Sequence, residues 1–124
     1  MPVDTYGIRH VHLLVRDHDR SIAFYQSVFG MEPRFRDGDI VFVSSPSGHD
    51  SLALHAVSDA ESLAVVGQQG GYEHFGITVK DRERLDDAIA LVIDAGGALV
   101  EKGEHAPGIP YAYVSDPDGY VIEI

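Results

Sequence analysis

The stretch His10-Val-His-Leu-Leu-Val-Arg-Asp-His-Asp-Arg20 occurs again in the second half of the chain as His74-Phe-Gly-Ile-Thr-Val-Lys-Asp-Arg-Glu-Arg84. The two copies share His, Val, Asp and Arg at the same offsets. In each copy apolar residues alternate with other residues, which is the period of a strand that packs one face against a core. The opposite face then carries the histidines. The repetition predicts two related modules, each presenting a histidine from the same position of its first strand.

Both halves continue with the same order of predicted elements. In the first half these are a strand at 10–15, a helix at 19–29 with Asp17 or Asp19 as its N-cap and Gly30 at its end, and strands at 40–43 and 51–57. In the second half they are a strand at 74–79, a helix between Asp81 and Gly96, and strands at 98–100, 111–115 and 120–124. Residues 31–39 show a mixed pattern. We interpret each half as strand–helix–strand–strand–strand, a βαβββ module.

Three connecting segments are rich in small residues, glycine or proline. Residues 58–71 form the predicted linker between the modules. The run Gly-Glu-His-Ala-Pro-Gly-Ile-Pro at 103–110 predicts an irregular, mobile lip over a pocket. Asp116-Pro-Asp-Gly119 has Pro and Gly where a type I turn places them.

The length of the chain predicts a single α+β domain. With 124 residues it is long enough to bury roughly two thirds of its unfolded surface. The expected boundaries are one domain over 1–124, with module 1 at about 6–57, the linker at about 58–71 and module 2 at about 72–124.

The charge and the cysteine content exclude several classes of function. A formal charge of −11 repels phosphate backbones, which argues against nucleic acid or an anionic membrane as partner. Because cysteine is absent, the chain has no disulfide, thiolate ligand or cysteine nucleophile. The first eight residues contain no apolar run typical of a signal peptide, and no stretch is long and apolar enough to span a bilayer. We expect a soluble, cytoplasmic protein.

Four polar residues occupy matching positions on the strand faces that do not join the core: His10, His74, His55 and Glu123. Two histidines and one carboxylate with open positions left over form the facial arrangement of non-haem Fe(II) enzymes, and with Ni, Mn or Zn the same set serves as a Lewis acid. A single histidine on a strand is more often exposed or buried with a hydrogen-bond partner. The repeat-matched set favours a metal site.

The remaining histidines and two arginines have weaker patterns. His12 faces the same way as His10 and is either a pocket wall or a neighbour of the ligands. His18 and His49, in a cap region and a turn, are expected to be exposed. Arg34 and Arg36 could bind a substrate carboxylate, but a solvated strand edge is the better interpretation.

The combined motifs resemble the vicinal oxygen chelate superfamily. They are the two-module layout, Asp17-x-x-Arg-Ser-x-x-Phe-Tyr25 in the first helix, His74 at the start of the second half, and Asp116-Pro-Asp-Gly119 followed by Glu123. That superfamily contains glyoxalase I, bleomycin-resistance proteins, fosfomycin-modifying thiol transferases, methylmalonyl-CoA epimerase and type I extradiol dioxygenases. The resemblance covers essentially the whole chain. It implies two βαβββ modules that form a cupped mixed sheet with helices on the outside, around one divalent metal held by His10, His74 and Glu123.

The C-terminal segment is similar to the signature of extradiol ring-cleaving dioxygenases. It consists of Gly103-Glu-His105, six further residues, Ala112-Tyr113, and then the turn that precedes Glu123. One position departs from the signature, because Ala112 stands where the signature has a larger apolar residue. The likeness implies Fe(II), O₂ and a catechol-like small-molecule substrate. His105 and Tyr113 would then contact the substrate, and His55 would act as the acid/base catalyst. Most such enzymes carry two of these domains, whereas this chain matches one.

Other functions within the superfamily remain open. A glyoxalase I-like lyase, an epimerase and a fosfomycin-type thiol transferase use Ni, Zn, Mn or Co rather than iron, and a drug-binding resistance protein would need no catalysis. The resemblance also implies a homodimer, in which module 1 of one chain and module 2 of the other share a site. The residues expected to shape the pocket are His12, Phe35, Phe42 and Tyr111.

Overall fold

Two four-stranded sheets, one from each half of the chain, form the framework of the computed structural model, which describes residues 1–124. The elements of the first half are β1 (Val11–Val15), α1 (His18–Phe29), β2 (Glu32–Asp37), β3 (Ile40–Ser44) and β4 (Leu52–Ala56). Those that follow are α2 (Ala60–Leu63), β5 (Phe75–Gly76), a 3₁₀ turn (Arg82–Arg84), α3 (Leu85–Asp94), β6 (Ala98–Ala106), β7 (Ile109–Ser115) and β8 (Val121–Glu123). No helix is long and apolar enough to cross a membrane.

The strand orders confirm the α+β fold of two βαβββ modules. They are β1-β4-β3-β2 and β5-β8-β7-β6, with β1–β4 and β5–β8 parallel and the other pairs antiparallel. Within one chain the two sheets are separate. Strands β1 and β5, which follow His10 and His74, are therefore both edge strands.

One apolar core joins the modules. It contains alternate residues of the strands, such as Leu13 and Val15 of β1 and Val114 of β7, together with Phe24 of α1 and Val92 of α3. Because strand side chains alternate between faces, His12 of β1 and Tyr113 of β7, which lie next to core residues in the chain, belong to the opposite faces. Those faces carry the predicted site residues.

A buried polar network also links the modules. The Asp118 side chain is fully buried, and its Oδ1 accepts hydrogen bonds from Arg16 Nη1 at 3.2 Å and Arg20 Nη2 at 2.7 Å. Its Oδ2 accepts from the Ser21 hydroxyl at 3.3 Å. The motif of the first helix supplies Arg20 and Ser21, Arg16 directly precedes it, and the motif of the last turn supplies the acceptor. The two motifs therefore have a shared structural role.

The prediction of an irregular lip at 103–110 is wrong. Strand β6 continues through this segment to Ala106 and forms a hairpin with β7. The turn of the hairpin consists of Pro107 and Gly108, and Gly108 has a φ of 78°. Gly103 lies directly against the Tyr111 ring, where a Cβ would be 2.8 Å from the Tyr111 hydroxyl oxygen. The glycine thus makes room for an aromatic side chain of the paired strand. A glycine with this role looks the same in the sequence as a glycine that marks a loop.

Three smaller differences have equally local causes. Residues 32–37 form an edge strand whose six residues are all exposed, so no alternation marks it in the sequence. Part of the predicted linker is helix α2, and Val66 of the linker is buried. The strand predicted at 74–79 is shorter because Ile77 makes the last backbone bond, to Glu123 of β8.

Candidate active site

Glu123 is the centre of a polar cluster on the second sheet. Strand β8 places its carboxylate 3.2 Å from His74 Nε2 through Oε1, while Oε2 accepts a hydrogen bond from His105 Nε2 at 3.1 Å. The His105 nitrogen is the donor because an ionised carboxylate only accepts. This hydrogen bond is the main cause that lowers the pKa of Glu123, and contacts with Tyr113 and His74 add to it. The carboxylate is therefore held in its ionised form.

Two tyrosines of β7 enclose this cluster. The Tyr113 ring meets the His74 ring edge-on at 4.9 Å between centroids, and the Tyr111 ring stacks on His105 at 4.2 Å. Partial burial raises the pKa of the Tyr113 phenol, and the Glu123 carboxylate raises it further. The phenol stays protonated near neutral pH and is available as a hydrogen-bond donor.

A second cluster lies on the first sheet. His12 Nε2 of β1 is 3.0 Å from His55 Nδ1 of β4, which is a hydrogen-bonded pair of imidazoles. Desolvation lowers the pKa of His12, and the neighbouring His55 and His10 lower it further. His10 packs its ring edge against Phe42 at 5.7 Å, and Phe42 in turn contacts the largely exposed ring of Phe35 at 5.9 Å.

The structure thus distributes the predicted site residues over two half-sites. The first holds His10, His12, Phe35, Phe42 and His55, and the second holds His74, His105, Tyr111, Tyr113 and Glu123. Every contact among these residues stays within one half-site, and no three His, Asp or Glu side chains of the chain form a group that could hold a metal ion. The chemistry of the donors fits a divalent metal, since borderline metals accept both imidazole and carboxylate. Of the three predicted ligands, His74 and Glu123 lie together in the second half-site, whereas His10 belongs to the first.

Two acidic residues near the second half-site are absent from the sequence prediction. Glu73 Oε1 lies 3.3 Å from His74 Nδ1, and Glu101 accepts a hydrogen bond of 3.2 Å from the Tyr111 hydroxyl. Glu73 is adjacent to His74 in the chain, which is a usable signal. Glu101 pairs with Tyr113 across the β6–β7 hairpin. Because residues 103–110 are predicted to be irregular, the sequence pattern does not predict this pairing.

The prediction that His18 is exposed is wrong. It lies in the first turn of α1 and is half-buried, with Nε2 at 2.9 Å from the Leu54 carbonyl and 3.2 Å from the Ala56 nitrogen. The Ala56 N–H also donates to the Asp39 carbonyl, and the tautomer of His18 sets whether its Nε2 donates to Leu54 or accepts from Ala56. In either tautomer the His18 ring lies against the backbone of the two residues that flank His55. His49 is exposed, as predicted.

The fold and the half-sites define a protein built from two βαβββ modules with polar clusters of histidine, glutamate and tyrosine on their sheets. The chain belongs to the Glyoxalase/Bleomycin resistance protein/Dioxygenase superfamily, whose sequence profile matches residues 7–124. That superfamily includes metal-dependent enzymes that act on small molecules.

Individual relatives represent different activities. A catechol-2,3-dioxygenase of Bacillus subtilis is 32% identical over 98% of this chain, which spans only 41% of that protein. A lactoylglutathione lyase of Haemophilus influenzae is 33% identical over 94% of this chain and 89% of its own length. A similar solved structure is a FosX fosfomycin resistance protein variant of Listeria monocytogenes in complex with Mn(II) and a dihydroxypropylphosphonic acid. It has a TM-score of 0.74 and 20% identity, with coverage of 97% of this chain and 89% of that one.

Proposed function

We propose that this protein is a divalent-metal-dependent enzyme that cleaves the ring of a catechol-like substrate in the extradiol manner, with Fe(II) and O₂. The observation that carries the proposal is the arrangement around Glu123, where two histidines and a protonated tyrosine surround one ionised carboxylate. The similarity of nearly the whole chain to a catechol-2,3-dioxygenase supports the same chemistry.

The proposed metal ligands are His10, His74 and Glu123. Since His10 belongs to the other half-site, we propose that the complete site forms in a homodimer, with His10 supplied by the partner chain. Both β1 and β5 are edge strands with free backbone groups, so two copies can bring them together. Ferrous iron held there would supply Lewis acidity and electrons to O₂.

The other residues of the half-sites then handle protons and orientation. His55 is suited to take a proton from a catechol hydroxyl, and its hydrogen bond with His12 fixes the orientation of its ring. Tyr113 donates a hydrogen bond to substrate oxygen and so stabilises negative charge that develops there. His105 holds Glu123 in place and can exchange this bond for one to the substrate.

The test is metal analysis of protein purified without chelator or affinity tag, followed by anaerobic Fe(II) loading and addition of a catechol. We expect about one iron per site, O₂ uptake and a yellow ring-cleaved product. Glu123→Gln and His74→Ala are expected to lose both metal and O₂ uptake. His49→Ala is the matched control, because His49 is exposed and its side chain forms no hydrogen bond or ion pair.

A second candidate is a lactoylglutathione-lyase-type isomerase. It is favoured by the match of this chain to 89% of the length of the Haemophilus enzyme. Nickel or zinc in the purified protein, with isomerisation of a glutathione hemithioacetal and no O₂ uptake with catechols, would establish this alternative and refute the dioxygenase proposal.

A further inference from the structure

A cavity of about 360 Å³ lies directly beside the Glu123 cluster. His105, Tyr111 and Glu123 line it together with Thr78 and Arg82, which precede α3. Further apolar wall residues include Leu85, Ile109 and Pro110. The volume is within the range that accepts a small organic ligand, about 300–1,000 Å³. The second half-site therefore extends beyond the proposed metal ligands into a space with mixed walls.

Arg82 is the cation of this cavity, and it has no acidic partner. Four of the nine lysines and arginines are bound to carboxylates: Arg16 and Arg20 to Asp118, Arg84 to Asp87, and Lys102 to Asp86. The structure records no ion pair or hydrogen bond for the Arg82 side chain, although the sequence contains 20 acidic residues. Its guanidinium is free to bind a ligand oxyanion through two parallel hydrogen bonds.

The two charged side chains make the cavity electrically asymmetric. A carboxylate, that of Glu123, lines one part of the cavity and repels an anion, whereas the guanidinium of Arg82 lines another part and attracts one. The net charge of −11 repels anionic ligands from the protein as a whole, so an acidic ligand needs a local cation. A ligand with hydroxyl donors at one end and a carboxylate at the other matches these walls.

We propose that Arg82 binds the carboxylate of the substrate, which makes the substrate class a hydroxylated aromatic acid. The ring lies against the apolar wall of the cavity, and the hydroxyl end lies near Glu123 and Tyr111. The identification of this substrate class rests on the proposed function of the same site. Binding of an aromatic acid to Arg82 requires neither metal nor turnover.

The test compares two ligands that differ in charge and hardly in shape, 4-hydroxyphenylacetate and 4-hydroxyphenylacetamide, by calorimetric or NMR titration of the metal-free protein. We expect the acid to bind about tenfold more tightly, the usual effect of one hydrogen bond to a charged group. Arg82→Gln should abolish this preference, and Arg82→Lys should restore part of it. The preference should also weaken with added salt.

Lys80→Gln is the matched control. It removes one positive charge two positions away, from a side chain that also lacks an acidic partner but lines a different cavity. We expect the preference for the acid to persist in this variant. Equal affinity of the wild type for acid and amide, including no measurable binding of either, would overturn the proposal, as would an equal loss in both variants.

The outcomes for Arg82 and for the dioxygenase proposal are separable. If no catechol supports O₂ uptake while the acid preference still depends on Arg82, the anion site stands and the dioxygenase proposal fails. If neutral and acidic catechols are cleaved equally well by the wild type and by Arg82→Gln, the dioxygenase proposal stands and the Arg82 proposal fails.

Discussion

The hydroxyl of Tyr25 donates a 2.7 Å hydrogen bond to Oδ2 of Asp116, so a residue of the first helix satisfies a carboxylate of the last turn. Both residues are almost completely buried. The other carboxylate oxygen of Asp116 accepts from the backbone nitrogens of Asp118 and Tyr120. The position of the last turn, and hence of the strand that carries Glu123, therefore depends on the first module.

Replacing Tyr25 by Phe should destabilise the protein. The variant keeps the buried ring but leaves Oδ2 of Asp116 without a donor, which costs about 1–3 kcal/mol of the free energy of unfolding. Urea denaturation near neutral pH measures the loss. Tyr6→Phe is the control because Tyr6 is fully exposed, and an equal effect of both substitutions would contradict the role of the hydrogen bond.

Asp116 should make the stability fall as the pH rises. Burial raises the pKa of its carboxyl above the usual range, although the bonds from Tyr25 and Tyr120 oppose this. The folded form then binds the proton more tightly than the unfolded chain, whose Asp pKa is about 3.9. The free energy of unfolding therefore decreases between that value and the folded pKa.

Asp116→Asn cannot ionise and should lack this component of the decrease. The measurement is urea denaturation of both proteins at several pH values from about 4 to 7. The free energy of unfolding of the wild type should fall relative to that of the variant as the pH rises. Parallel pH profiles would show that Asp116 does not titrate differently in the folded protein.

Alanine substitutions at three glycines of the linker can distinguish the cost of backbone strain from the cost of steric overlap. Gly67 has a φ of 73°, and a Cβ there would overlap the Asp118 carbonyl oxygen. Gly71 has a φ of 64° but open space around it, and Gly70 has neither constraint. We expect Gly71→Ala to cost about 1–2 kcal/mol, the usual penalty of left-handed backbone, and Gly70→Ala to be nearly neutral.

Gly67→Ala should cost clearly more than Gly71→Ala, because the linker can no longer pack against the last turn. Thermal or urea denaturation of the three variants gives the order. Equal losses of the free energy of unfolding for Gly67→Ala and Gly71→Ala would mean that the backbone at Asp118 can move away from the new Cβ without an energetic cost.

Mixing two inactive variants should restore function if the site is shared between chains. His10→Ala damages the first half-site and Glu123→Gln damages the second. In a mixed dimer one site then carries both changes and the other is intact. Statistical reassembly of equal amounts should give about a quarter of the wild-type sites. Metal content and O₂ uptake are both measured in the mixture. If neither recovers, the complete site is not shared between the two chains of a dimer in this way.

The repeated stretch makes much of the fold predictable from the sequence. The alternation around His10 and His74 indicates which strand face each histidine occupies, because side chains of a strand change face with every residue. The first helix begins at His18 and ends before Gly30, whose φ of 66° is the left-handed conformation that glycine adopts at a helix end. These features depend on local geometry, so local sequence is sufficient.

The β6–β7 hairpin shows the limit of such patterns. Its glycine and proline residues indicate a loop when they are considered alone, yet Gly103 lies within a strand and directly against the Tyr111 ring. Edge strand β2 has no apolar face and leaves no signal at all. In both segments the secondary structure is decided by a neighbouring strand.

By itself, the sequence determined the two βαβββ modules and the polar faces that carry His74, Glu123, His12 and His55, because hydrophobic period and caps are local properties. Only the tertiary structure decided that these residues lie in two half-sites rather than one. It also decided that Asp118 joins Arg16 and Arg20. The physical reason is that strand pairing and buried ion pairs depend on packing between segments far apart in the chain, and that packing leaves no periodic trace in either segment.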